Sequence, residues 1–129
     1  MLNREQILKA DDIKTEEVQV PEWGGSVLVR GMTGAERDRY EAAVVEQNGK
    51  NTKVNMRNAR ARLMTMTVVD EKGNKLFTQA DIETLGQKSA AALQRVFEVA
   101  TRLAGIGDED LDELSKNSLP GQSEDSISD

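Results

Sequence analysis

Across residues 89–104 the apolar side chains Leu93, Val96, Phe97, Ala100, Leu103 and Ala104 fall at i, i+3, i+4, i+7, i+10 and i+11. That order places them on one face of an α-helix, and Gly105 and Gly107 mark where it stops. A helix with so long an apolar stripe has to be covered, so the remaining chain must supply a matching surface. Only 3% of the 129 residues are aromatic (Trp 1, Tyr 1, Phe 2), so that surface comes from Leu, Ile, Val, Met and Ala. One small domain is the expected result.

The other elements follow from local signals. Asn3 and Gln6 have N-cap and N3 spacing ahead of Ile7 and Leu8, which predicts a helix of about two turns. Val18 and Val20, then Val27 and Val29, alternate with polar residues on either side of the turn residues 21–25, the pattern of a β-hairpin at about 16–31. Thr33 and Glu36 form a second capping box, opening a helix to about residue 47 with Ala35, Tyr40, Ala43 and Val44 facing inward. Residues 48–51, Asn-Gly-Lys-Asn, break it. A further helix is predicted over about 55–68, with Met56, Ala59, Leu63 and Met66 as its apolar stripe. Residues 70–74 read as a tight turn, and Thr78 with Asp81 caps a short helix ending before Gly86. The expected fold is mainly α, within the α+β class: four to six helices and one N-terminal hairpin.

Charge divides the chain further. The net charge is −6, yet residues 108–129 carry eight acids against one base, leaving the preceding body close to neutral. Residues 108–116 suit a short helix with an acidic first turn. Residues 117–129 are rich in Ser, Asp, Pro and Gly and have too few apolar groups to offset chain entropy. The expected organisation is a helical domain over 1–116 and a disordered acidic tail over 117–129.

Composition also removes whole classes of function. With Cys 0 and His 0 the chain has no disulfide, no thiolate nucleophile, no Cys or His metal site and no His-dependent triad. No Gly-rich phosphate loop is present, and the acids at 108–113 lack the frame of an EF-hand calcium loop. No apolar run approaches the roughly 18 residues of a spanning helix, and the N-terminus has no hydrophobic signal core. A cytoplasmic protein without cofactor or catalytic site is expected, one that works by binding.

Three features stand out as candidate contacts. Trp23 lies beside Gly24 and Gly25 at the hairpin turn; it serves either as a core anchor or as an exposed hot spot. Met56, Met64 and Met66 offer an adaptable apolar surface, which is core in most proteins and a peptide groove in some. Lys50, Lys53, Arg57, Arg60 and Arg62 form a block with no acid across thirteen residues. Arg57 and Arg60 share a helix face there, either solvated or set to dock an acidic partner. Nucleic-acid binding would require a basic domain, stacking aromatics or a reading motif, and the chain has none.

The order of segments adds a resemblance. PEWGGSVLVRGMTGAERDRYE (21–41), NARARLMTMTVVDEKGNKLF (58–77) and ADIETLGQKSAAALQRVFEVATRLAGI (80–106) together resemble the tail assembly chaperones of long-tailed bacteriophages and prophages. The likeness spans about residues 3–117 and rests on order and spacing, since no single motif is diagnostic. It implies a non-enzymatic protein of the host cytoplasm that binds the tape measure protein and keeps it soluble. It also implies help in recruiting tail tube protein and absence from the finished virion. Such genes commonly yield a longer frameshifted product, and the resemblance implies that the present chain is the short one. An apolar client surface also leaves self-association open. Two other readings stay open: a tail or neck component that remains in the particle, and a small regulatory nucleic-acid binder.

Overall fold

Val18, Val20, Val27 and Val29 point to one side of a twisted ribbon, and that side is where the domain core forms. In the computed structural model, which describes residues 1–48, 51–54 and 58–106, strands β1 (Thr15–Val20) and β2 (Gly25–Arg30) pair antiparallel, with Val18 opposite Val27 and Val20 opposite Gly25. The hairpin thus lies where the alternation places it. Its connection is a 3-10 turn, Pro21–Trp23, closed by Gly24 in the left-handed region at φ 74°. Proline opening the turn and glycine ending it match the φ each residue prefers.

The described residues hold five α-helices: α1 (Arg4–Lys9), α2 (Gly34–Val44), α3 (Ala59–Thr67), α4 (Ile82–Leu85) and α5 (Ala90–Leu103). The α+β expectation holds. Each predicted capping box forms: Asn3 with Gln6 on α1, Thr33 with Glu36 on α2, and Thr78 with Asp81 ahead of α4. The long helix α5 buries Leu93, Val96, Phe97 and Ala100, and leaves Leu103 and Ala104 half-buried. It ends in a Schellman arrangement, where Gly105 at φ 75° lets the Ile106 N–H reach the Thr101 carbonyl at 2.8 Å. Ile106 is buried beneath that turn.

Three expectations need correction. The second helix does not run to residue 47: α2 stops at Val44, and a second hairpin follows, β3 (Val45–Asn48) with β4 (Asn51–Val54). Asn48-Gly49, which reads as a helix break, is equally a strong hairpin signal, and Val45, Thr52 and Val54 favour extended backbone. The third helix starts at Ala59 rather than near 55, after Asn58 in the left-handed region at φ 58°. Its C-terminal end gives way to a short strand, β5 (Val68–Val69), which pairs with β2 as Leu28 opposite Val69. The sheet therefore has three strands in the order β1-β2-β5. Met56, Arg57 and the segments 108–116 and 117–129 lie outside the described residues.

Helix α3 is the centre of the domain, packed against α5, α2 and α4, while α5 also covers β1 and β2. Its predicted single stripe is an underestimate. Ala59, Ala61, Leu63, Met64, Thr65 and Thr67 are all buried, with Met66 half-buried. The two threonines can enter the core because their hydroxyls donate to their own helix, Thr65 to the Arg62 carbonyl and Thr67 to the Leu63 carbonyl. On α2, Tyr40, Val44 and Glu36 are buried, Ala43 is half-buried, and Ala35 is exposed. Tyr40 donates to the Ala59 carbonyl at 3.4 Å, and burial pushes its hydroxyl up to about 12.

Gly31 follows β2 where the end of α5 comes close. A side-chain carbon there would meet the Leu103 carbonyl oxygen at 2.9 Å, a backbone atom that cannot swing aside. Gly31→Ala should therefore destabilise by about 1–2 kcal/mol through overpacking. Thermal denaturation checks this, and an unchanged melting temperature would mean that α5 can shift freely at its end.

Candidate functional site

The hairpin tip presents the clearest single anchor. Trp23 ends the 3-10 turn with 36% of its surface exposed, so it is not sealed within the core. The turn is fixed from behind, because Glu22 accepts from Arg95 Nε on α5 at 3.0 and 3.2 Å. That hydrogen bond also lowers the Glu22 carboxyl below its usual range. Arg102 and Glu16 make a second such link at 2.7–2.8 Å. Both pairs are solvent-facing and add little stability, and both tie the hairpin to α5. Gly24 and Gly25 face open space, leaving room for a partner backbone beside the indole.

A second exposed apolar region lies at the N-terminus. Every residue from 1 to 10 is exposed, including Met1, Leu2, Ile7 and Leu8. Ile7 and Leu8 lie on α1 and Met1 and Leu2 precede its cap, so four large apolar side chains in ten residues are left uncovered. The signal was available in Leu2, Ile7 and Leu8 beside the Asn3–Gln6 box, but there it read only as a helix start.

The predicted contact residues do not converge on one place. Met64 is enclosed in the core at 1% exposure. Met66 is half-buried and faces a surface cleft with Arg62. Arg60 is exposed at the start of α3, where its guanidinium sits 5.2 Å from the Phe97 ring centroid and donates to Gln94 at 2.6 Å. Arg60 thus clamps α3 to α5, beside a shallow cavity of about 550 Å³ that also takes in Lys88 and Leu93. Among the described residues, no cluster of His, Cys, Asp and Glu could hold a metal ion. No described helix is long and apolar enough to cross a membrane.

What remains is a small α+β domain that offers apolar and cationic surface. The family model of the phage tail assembly chaperones matches residues 3–117. The chain belongs to that family. Its fold is also similar to a solved structure, the tail assembly chaperone of bacteriophage HK97, at 21% identity and a TM-score of 0.54. The superposition covers 77% of this chain and 94% of that one. No curated protein sequence matches it.

Proposed function

We propose that this tail assembly chaperone binds the tape measure protein in the host cytoplasm, keeps it soluble before the tube forms, and helps bring tail tube protein to it. The family match over residues 3–117 carries the reading. The exposed apolar side chains give it a physical basis. A long helical client with uncovered apolar stripes aggregates unless a partner masks them, and Trp23 together with Leu2, Ile7 and Leu8 offers such a mask. The protein acts by binding, without catalysis, and leaves before the particle is complete. In a longer product made by frameshifting, a tube-recruiting domain would follow the segment 117–129.

Co-expression with the tape measure protein tests this directly. The client's soluble fraction should rise, and a complex should elute in gel filtration. Trp23→Ala should weaken that complex about tenfold or more, in keeping with buried tryptophan anchors at interfaces. Its circular dichroism spectrum should match that of the parent, since the indole does not complete the core. A client that stays insoluble beside the unaltered protein would overturn the reading, as would finding the chaperone by mass spectrometry in purified virions.

A further inference from the structure

Between α2 and the second half of α3 lies an open cleft of about 650 Å³, within the usual size range of ligand pockets. Arg39 and Ala43 line it from α2, and Arg62 and Met66 from α3. Each pair is four residues apart, so each helix turns the same combination, one cation and one apolar side chain, toward the gap. Lys75 and Phe77, from the segment after β5, form the third wall. No acidic residue is among the described lining.

The cations are unevenly satisfied. Lys75 is paired with Glu36 at 2.8 Å, but Glu36 also takes Arg30 at 3.1 Å, so this group keeps an excess positive charge. Arg39 is exposed and makes no ion pair with a described residue. Arg62 is half-buried, and its Nε is shielded from solvent with no hydrogen-bond partner among the described residues. A buried N–H of a charged group without an acceptor is costly. The guanidinium as a whole lines the open cleft, and a carboxylate there pairs with its charge through the N–H groups other than Nε. Beside it, Met66, Phe77 and Ala43 are suited to an apolar side chain one helical turn away on the same ligand.

We propose that this cleft docks an acidic segment of the client protein, in which a carboxylate pairs with Arg62 and Arg39 and a neighbouring apolar side chain rests on Met66 and Phe77. The proposal rests on the chaperone reading and deepens it, by giving the client's binding segment a charge. A single-stranded nucleic acid would also be drawn to the cations, but the chain carries no reading motif, and it enters the test as the rival occupant.

The test uses the full chain and a fluorescein-labelled 12-residue peptide of Glu and Leu at helical spacing, with its Lys-for-Glu counterpart as control. Fluorescence anisotropy should show binding of the acidic peptide that weakens with salt, and none of the basic one. Arg39→Glu and Arg62→Gln should each reduce affinity at least tenfold; Arg39 is exposed, so its replacement leaves folding out of the comparison. Affinity within twofold of the parent for both variants, or equal binding of the two peptides, would overturn the proposal. Tighter binding of a 12-mer oligothymidylate would assign the cleft to nucleic acid instead. A tenfold gain in peptide affinity on replacing Asp108, Glu109, Asp110, Asp112 and Glu113 with their amides would make this chain's own acidic segment the occupant, against the proposal. Co-expression separates the two readings. If the Arg39→Glu, Arg62→Gln double variant solubilises the tape measure protein as well as the parent does, the cleft proposal fails and the chaperone reading stands. If the parent itself does not, the chaperone reading fails, and with it the client as occupant.

Discussion

Replacing Glu36 with Gln should lower the melting temperature at pH 7 by about 10 °C, the shift that a loss of roughly 2 kcal/mol gives in a domain of this size. Glu36 is 7% exposed and joins three parts of the chain. It accepts from Arg30 on β2, from Lys75 beyond β5, and from the Thr33 N–H at the start of α2. The amide can still accept from Thr33, but it leaves Arg30 half-buried without its counter-charge, and removing one partner of a buried pair is costly. Lys75 is more exposed and can turn to solvent, which keeps the loss toward the lower end. The same site predicts an acid limb. Burial alone would raise the Glu36 carboxyl, but hydrogen bonds from Arg30, Lys75 and Thr33 outweigh it and hold the group at about 2, against 4.5 for a free glutamate. A depressed value means that the stabilisation is fully present above pH 4.5 and is lost as pH falls toward 2. Melting temperatures measured between pH 7 and pH 2 should therefore fall less steeply for Glu36→Gln than for the parent. Parallel curves would show that Glu36 is not the group being protonated.

Glu36 also shows where sequence reading stops. Its capping role was legible, because Thr33 and Glu36 are three residues apart and the box is a local motif. Its burial was not, since Arg30 and Lys75 reach it only after β2 and the segment beyond β5 have come together. The same division runs through the fold. The face of α5 and the alternation of β1 and β2 are written in local periods, and the structure keeps both. By contrast β5 is two residues long and exists only because Val68 and Val69 meet Val29 and Leu28. Nothing between Thr67 and Val68 announces that a helix becomes a strand. At Asn48-Gly49 the fault was one of weighing, since helix break and hairpin turn share the same residues. The candidate contacts divide likewise. Trp23 is legible as a turn residue, whereas its partial exposure follows only from how the hairpin packs. Arg62 reads in the sequence as one more charge on a solvated face, and only the packed fold shields its Nε from solvent.

Leu63→Ala should remove about 3 kcal/mol of stability, within the range measured when a fully buried leucine is cut back to alanine. Leu63 has no exposed surface and sits in α3, the helix that α5, α2 and α4 all pack against. A cavity at that point cannot be filled from one side without drawing another element away from its own contacts, so the loss includes the cavity as well as the missing methyl groups. Its neighbours offer little slack. Ala59, Ala61 and Val96 are small and already buried, and the Thr67 hydroxyl holds the Leu63 carbonyl at 2.9 Å, which pins the end of the helix just before β5. For a domain whose total stability is about 5–15 kcal/mol, a change of this size is a large fraction of what holds it folded. Urea denaturation should show the midpoint moving to lower concentration with the slope unchanged, the mark of a native state that has lost stability without altering the surface exposed on unfolding. A loss below about 1 kcal/mol, the level of an ordinary substitution, would mean that the helices close over the gap and that α3 is not the element around which this domain is built.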